Sequence, residues 1–188
     1  MRIVGGKHRG RALKAPAGRR LRPTATRARE ALFNILEHGR LGGPALAGAT
    51  VLDVFAGTGA LGLEALSRGA ARLVALDNDR AAARCLAANA EALGEEERVI
   101  LIQADATRPP PPTGTADIAF LDAPYGSGLA EPALAALAQG GWLASGALVV
   151  VEMAAKESGE APPPEGFEIL EARRYGTARF SFLRFVGI

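Results

Sequence analysis

The feature that most constrains this 188-residue chain is a repeating pattern that begins near residue 50. Short, continuous runs of apolar residues alternate there with glycine turns and with segments of helical periodicity. Strands that are apolar on both faces and are connected by helices are typical of a parallel sheet covered on both sides. The pattern predicts strands at 51–55, 73–76, 99–102, 118–121 and 147–151, and helices near 60–68, 79–93 and 129–138.

The end of the chain departs from this pattern. Residues 167–170 and 180–185 are two further apolar runs, and the segment around Gly176 is too short for a crossover helix, so they should pair antiparallel. The sequence therefore predicts an α/β fold with a doubly wound, mainly parallel, seven-stranded Rossmann-like sheet that ends in an antiparallel hairpin. From the alternation of side chains we expect three aromatic residues to share one face of that hairpin: Phe180, Phe182 and Phe185.

Charge is distributed unevenly along the chain. The net charge is +2, yet residues 1–40 carry 11 Lys and Arg against two Glu, and residues 41–188 carry 11 against 18 Asp and Glu. A basic segment on an acidic body is typical of a protein that docks on a polyanion, and a merely solvated leader is the alternative. We predict a basic N-terminal extension at 1–40, with a hairpin over residues 2–14 and a helix from Pro23, followed by the main domain at 41–188.

The bulk features exclude several classes of protein. No apolar run approaches the length of a membrane span, and the first residues lack the apolar core of a signal peptide. The single cysteine, Cys85, excludes an internal disulfide and a multi-cysteine metal site. We therefore expect a cytoplasmic protein, without membrane or metal, that works as a monomer.

A glycine-rich turn, Asp53-Val54-Phe55-Ala56-Gly57-Thr58-Gly59, follows the first strand. Glycines let the backbone approach a ligand closely, and the helix that follows offers unpaired N–H groups at its N-terminus. Asp77 ends the second strand 20 residues after Gly57, where a carboxylate can accept both hydroxyls of a ribose. Gly57, Gly59 and Gly62 also satisfy the dinucleotide pattern G-x-G-x-x-G, so a nicotinamide cofactor stays open on this motif alone.

Two acidic residues favour a different nucleoside ligand. Asp53 lies inside the strand end, where dinucleotide-binding folds usually have apolar residues, and it suits a ligand with a cationic amine, such as the methionine part of S-adenosylmethionine. Asp105 and Ala106 close the third strand, where they can meet an adenine edge. A plain turn role is the alternative for Asp105, because Asp commonly caps turns.

The tetrapeptide Asp122-Ala123-Pro124-Tyr125 follows the apolar run 118–121. It places a carboxylate, a proline-stiffened turn and an aromatic ring side by side at the exit of a buried strand. Such a group can hold a planar amine by its hydrogens while the ring that carries the amine stacks on the tyrosine. An ordinary proline turn is the alternative.

Together, the glycine turn and the tetrapeptide resemble class I S-adenosylmethionine-dependent methyltransferases that act on an exocyclic amine. The basic segment narrows the resemblance, because three of its motifs are similar to the RsmD family of 16S rRNA guanine-N2 methyltransferases: Gly6-Lys7-x-Arg9-Gly10-Arg11-x-Leu13, Arg22-Pro23-Thr24 and Arg27-x-Arg29-Glu30-Ala31-Leu32-Phe33-Asn34. The similarity continues through 61–69 and into 174–176, so it covers nearly the whole chain.

The resemblance implies methyl transfer from S-adenosylmethionine to guanine N2 in 16S rRNA or in the assembling small ribosomal subunit. It implies four catalytic residues: Asp122, Ala123, Pro124 and Tyr125. It implies nine cofactor-binding residues: Asp53, Phe55, Ala56, Gly57, Gly59, Asp77, Asn78, Asp105 and Ala106. We expect the RNA phosphates to be contacted by Arg9, Arg11, Arg22, Arg27 and Arg29.

The chain departs from the family at Ala123, where the family has a proline. The resemblance implies that the backbone carbonyl at this position accepts an amine hydrogen. Alanine keeps that carbonyl, and Pro124 restricts the residue before it to extended conformations, so we expect catalysis to survive. The open alternatives are an adenine-N6 or glutamine-amide methyltransferase, a nicotinamide oxidoreductase, and a non-catalytic RNA-binding or ribosome-assembly factor.

Overall fold

The computed structural model describes residues 1–15, 23–39, 41–155 and 164–188. Four α-helices lie in the described residues: α1 (Pro23–Glu37), α2 (Ala60–Ser67), α3 (Arg80–Leu93) and α4 (Ala130–Gln139). The strands are β1 (Thr50–Val54), β2 (Arg72–Asp77), β3 (Val99–Gln103), β4 (Ala116–Leu121), β5 (Leu143–Ala154), β6 (Phe167–Tyr175) and β7 (Ala178–Phe185). All seven form one sheet in the order β3-β2-β1-β4-β5-β7-β6.

The direction of the strands confirms the predicted fold class. β1 to β5 are parallel, and β7 runs antiparallel between β5 and β6. The chain winds outward from β1 to β3 and then returns to place β4 on the other side of β1. The carboxyl ends of β1 and β4 therefore meet where the winding direction reverses, which is where open α/β sheets bind their ligands.

Each face of the sheet has its own apolar core. Helices α1, α2 and α3 pack on one face with Val51, Ile118 and Val150, and α4 packs on the other with Leu52 and Leu121. Successive residues of a strand point to opposite faces, which explains why β1 and β4 are apolar along their whole length. Among the described residues, no helix combines the length and the apolar character that crossing a membrane requires.

Two expectations about strands were wrong in detail. The strand predicted at 147–151 extends over Leu143–Ala154, with Gly146 at φ 79° within it. Phe180 and Phe182 lie in the core beneath α1 to α3, but Phe185 lies in the other core. Phe182 and Phe185 are three positions apart, and side chains separated by an odd number of positions along a strand point to opposite faces of the sheet.

The basic extension packs against the main body. The predicted hairpin of residues 2–14 is a loop closed by one bridge, between Arg2 and Ala12, with Ile3 N donating to Arg11 O at 3.0 Å. Ile3 and Leu13 are buried in the same core as α1 and α2. The division of the chain at residues 40 and 41 stays a prediction.

Candidate active site

The glycine turn between β1 and α2 depends on left-handed backbone conformations. Phe55, Gly57 and Gly59 have φ of 61°, 57° and 77°, and Phe55 is the one non-glycine residue with positive φ in the described parts of the chain. Gly59 caps the N-terminus of α2, and a Cβ there would lie 2.6 Å from Leu86 Cγ. Both the conformation and the close packing therefore require glycine at 59.

Two carboxylates at the carboxyl ends of β1 and β2 hold this turn. Asp77 Oδ2 accepts a hydrogen bond from Gly57 N at 2.7 Å, and its Oδ1 accepts one from Asp79 N at 2.8 Å. Asp53 Oδ2 accepts from Gly62 N, in the first turn of α2, at 2.9 Å. A carboxylate has about four acceptor positions, so each side chain retains capacity for a ligand.

Asp53 is a buried acid in an acidic surrounding. Its side chain is 2% exposed, and burial raises its pKa from 3.8 to about 8. The hydrogen bond from Gly62 opposes this shift, and the charges of Asp122 and Asp77 add to it. A cationic group bound at this edge would relieve the repulsion between these carboxylates.

Asp105 follows β3 and forms a local turn. Its Oδ1 accepts hydrogen bonds from the backbone N and the Oγ1 of Thr107, both at 2.8 Å, and these bonds lower its pKa. The side chain is exposed, whereas Ala106 is buried beside it. Asn78, next to Asp77, is exposed at the same edge of the sheet.

The tetrapeptide follows β4 at the neighbouring strand end. Asp122 N donates to Val54 O at 3.4 Å, which fixes the start of the tetrapeptide to the end of β1. Asp122 and Pro124 are exposed, Ala123 is 7% exposed and Tyr125 is 45% exposed. Tyr125 Oη donates to Glu152 Oε1 on β5 at 2.9 Å, so its ring is held at the rim of the sheet.

A cavity of about 490 Å³ opens beside the tetrapeptide, on the side away from the glycine turn. It lies among the tetrapeptide, the start of α4 and the ends of β5 and β7. Its lining includes Pro124, Tyr125, Leu134, Val151, Glu152 and Arg179. The tetrapeptide thus lies between the glycine turn and an open cavity that has an aromatic ring and a carboxylate in its wall.

The family profile described as "Conserved hypothetical protein 95" matches residues 1–184. Ribosomal RNA small subunit methyltransferase D of Escherichia coli K12 is 42% identical over 153 residues, 81% of this chain and 74% of the relative. The protein of the same description from Haemophilus influenzae is 34% identical over 184 residues, 96% of this chain and 91% of the relative.

The chain belongs to the RsmD family. A solved structure described as a putative methyltransferase, yhhF, from Escherichia coli superposes with a TM-score of 0.81 at 35% identity, covering 100% of this chain and 99% of that one. The Rossmann-like methyltransferase fold is therefore confirmed for this RsmD family member.

The five arginines predicted to contact RNA are placed differently from one another. Arg9, Arg11 and Arg27 are exposed, and Arg11 Nη2 donates to the carbonyl of Ala92 at 2.7 Å. Arg22 lies outside the described residues. Arg29 is 6% exposed, and this placement does not fit a phosphate contact.

Arg29 instead belongs to a buried polar cluster that docks the extension on α2. Its Nη2 donates to Arg2 O at 2.7 Å, and its Nε lies 3.7 Å from Glu64 Oε2. Glu64, fully buried, also accepts from the backbone N of Val4 and of Gly5, both at 2.8 Å. Burial lowers the pKa of Arg29, while the Glu64 charge opposes that shift.

Three residues of the site and its support were missed by the sequence analysis: Glu64, Asn89 and Glu152. Glu64 and Asn89 lie within helices, where nothing in the local pattern distinguishes a buried polar side chain from an exposed one. Glu152 had a usable signal, because it is a charged residue that directly follows the apolar run 147–151. Asp77 and Asp122 were found from that same signal.

Proposed function

We propose that this protein transfers a methyl group from S-adenosylmethionine to the exocyclic N2 of a guanine in 16S rRNA. The observation that carries the proposal is the position of the tetrapeptide, between a glycine turn lined by acids and an open cavity. Similarity to proteins described as ribosomal RNA small subunit methyltransferase D supports rRNA as the substrate.

The groups at the glycine turn fit S-adenosylmethionine. Asp77 offers acceptors for ribose hydroxyls, and Asp105 offers an acceptor for the adenine amino group. The cationic methionine amine would favour the charged form of Asp53, whose pKa is raised in the free protein, and would pair with it. Gly57 and Gly59, both with positive φ, add no side chain to this turn, so a ligand can approach its backbone closely. Ala56, Asn78 and Ala106 complete the proposed cofactor contacts. When bound, this cofactor supplies an electrophilic methyl group carried by a sulfonium.

The residues of the tetrapeptide would act on the amine that receives the methyl group. The lone pair of guanine N2 is delocalised into the ring, which makes the amine a poor nucleophile. The Asp122 carboxylate and the Ala123 carbonyl each accept one N2 hydrogen and so orient the lone pair. Asp122 also stabilises the positive charge that develops on nitrogen, and Tyr125 stacks on the base.

The basic extension would supply affinity for RNA. Arg9, Arg11 and Arg27 are exposed cations of the described extension, and Arg22 remains a candidate from its sequence. Guanine inside a duplex cannot present N2 to a buried strand end, so the target base must be splayed out of its stack. Phosphate contacts that hold the flanking backbone would make binding strongly dependent on salt.

The test is mass spectrometry of rRNA nucleosides from cells with and without this protein, followed by methyl transfer in vitro to naked 16S rRNA and to small subunits. We expect N2-methylguanosine to disappear from one position when the protein is absent. The Asp122→Ala variant should bind RNA and cofactor but transfer no methyl group. An unchanged nucleoside profile, or a fully active Asp122→Ala variant, would overturn the proposal. RNA binding without transfer by the unaltered protein would indicate an assembly factor.

A further inference from the structure

Glu152 and Asp122 are neighbours near the carboxyl ends of β5 and β4. The last pair of the ladder between β4 and β5 is Leu121 with Val151, and both side chains lie in the core beneath α4. Asp122 and Glu152 directly follow this pair, so they are neighbours where the two parallel strands approach their carboxyl ends. Two acidic residues therefore occupy adjacent positions, and Glu152 is among the residues that line the cavity beside Tyr125.

The surroundings of Glu152 hold its carboxylate in place. Oε1 accepts the hydrogen bond from Tyr125 Oη at 2.9 Å, and burial raises the pKa of the side chain while that hydrogen bond opposes the shift. One hydrogen bond uses a small part of the acceptor capacity of a carboxyl group. Because Glu152 also lines the cavity, its remaining acceptor capacity is available to a group bound there.

The edge of guanine that carries N2 has a second donor next to the amine. N1 of guanine bears a hydrogen, so N1–H and the N2 amine form a row of donors. In adenine the ring nitrogen beside the N6 amine is an acceptor with a lone pair. A carboxyl oxygen adjacent to the amine-binding residues therefore attracts guanine and repels adenine, and burial strengthens both effects.

We propose that Glu152 accepts the N1–H of the target guanine and thereby selects guanine over adenine. This assignment rests on the proposed function, because it places N2 between Asp122 and Ala123. Asp122 binds the amine whichever purine carries it, whereas Glu152 distinguishes a hydrogen-bond donor from an acceptor at the neighbouring ring nitrogen. Glu152 is then a specificity-determining residue for the target base.

The test uses RNA that contains either guanine or 2-aminopurine at the modified position, once mass spectrometry has located it. 2-Aminopurine keeps the amine but has a lone pair in place of N1–H. We expect the unaltered protein to prefer guanine in kcat/KM by a factor of about 100 or more, because a site built to bind a donor rejects an analogue without it. Glu152→Gln should reduce this preference at least tenfold, since its amide can donate to N1 while its oxygen still accepts from Tyr125.

Two further variants separate base selection from the support of Tyr125. Tyr125→Phe removes the hydrogen bond to Glu152 but keeps the ring and the carboxylate, so the preference for guanine should persist even where overall activity falls. Glu152→Asp keeps the carboxylate and should retain the preference better than Glu152→Gln does. The loss of the O6 oxygen in 2-aminopurine affects all variants alike and cancels when the ratios are compared.

The outcomes distinguish this assignment from the function on which it rests. If the unaltered protein methylates guanine, and Glu152→Gln lowers kcat/KM for both bases by the same factor, Glu152 only supports Tyr125 and the assignment is wrong. If the unaltered protein methylates no guanine in RNA or subunits, the proposed function fails and the assignment fails with it. Cofactor affinity and melting temperature of each variant show whether a loss arises from misfolding.

Discussion

Asn89 Nδ2 donates a hydrogen bond to the carbonyl of Thr58, inside the glycine turn, at 3.0 Å. The same side chain accepts from Lys14 N at 2.7 Å and donates to Lys14 O at 3.1 Å. Asn89 is 1% exposed, and its bond to Thr58 is buried, whereas its bonds to the exposed Lys14 are partly buried. One buried amide thus joins the basic extension to the proposed cofactor site. Because its hydrogen bonds connect the two segments, displacement of one segment should disturb the other.

The first prediction is that Asn89→Ala weakens cofactor binding although Asn89 is not among the proposed cofactor contacts. The substitution removes the bonds to Lys14 and leaves the buried carbonyl of Thr58 without this donor, which should lower the free energy of unfolding by about 1 to 3 kcal/mol. The glycine turn would also lose its support from α3, so the affinity for S-adenosylmethionine should fall. Urea denaturation and isothermal titration measure the two effects.

Cys85→Ala is the matched control. Cys85 lies on the same helix one turn earlier, and its Sγ is 3.4 Å from the same carbonyl of Lys14. Within the described parts of the chain it makes no hydrogen bond to the glycine turn, so its loss should cost little stability and leave cofactor affinity unchanged. Equal cofactor affinity in Asn89→Ala and Cys85→Ala would show that the link between extension and turn has no effect on binding.

Local chemistry made much of this site predictable. Asp53, Asp77 and Asp122 lie at or next to the carboxyl ends of three strands, and parallel strands present these ends at one edge. Asn89 could not be found in the same way, because its partner Thr58 is 31 residues away and only packing of α3 brings them together. Arg29 shows the same limit, since its sequence neighbours suggest a surface cation and Glu64 draws it into the interior.

The second prediction concerns pH and Asp53. Between its ordinary pKa of 3.8 and the raised value of about 8, the folded protein binds a proton at Asp53 that the unfolded chain does not. The free energy of unfolding should therefore decrease as the pH rises through this window. Asp53→Asn removes the titration and keeps an oxygen that can accept from Gly62 N. It should be more stable than the unaltered protein at pH 8.5, with a smaller difference at pH 5.

Urea denaturation of both proteins at the two pH values measures this difference. Other titrating groups are common to the pair, so their contributions cancel. The same Asp53→Asn variant should bind S-adenosylmethionine more weakly, because it lacks the charge that would pair with the amine. If the two proteins lose stability in parallel from pH 5 to pH 8.5, Asp53 does not carry a raised pKa.

The third prediction separates two arginines that are two positions apart. Arg27 is exposed and Arg29 is buried against Glu64. Arg27→Gln should weaken RNA binding and reduce the slope of log K against log salt by about 0.7 to 0.9, the effect of one phosphate contact. Arg29→Gln should instead lower the melting temperature, because it leaves the buried Glu64 without one of its cations.

Filter binding of RNA across a salt series, together with thermal denaturation, distinguishes the two variants. Both substitutions remove one positive charge from the same helix, so general electrostatic attraction changes equally in the pair. A salt slope that falls as much in Arg29→Gln as in Arg27→Gln would mean that Arg29 reaches RNA after all. In that case Arg29 would have to leave its buried position when RNA binds.

The last prediction concerns Ala123, where the family has proline. Ala123 is buried, and its φ is not among the positive values of the described residues, so the negative φ of proline is compatible in sign with this position. Because the proposed role belongs to the backbone carbonyl, Ala123→Pro should retain methyl transfer within about threefold, whereas Ala123→Gly, which frees φ, should lower kcat more. Single-turnover transfer with saturating cofactor measures both. A folded Ala123→Pro variant that transfers no methyl group would show that the geometry at 123 depends on more than its carbonyl.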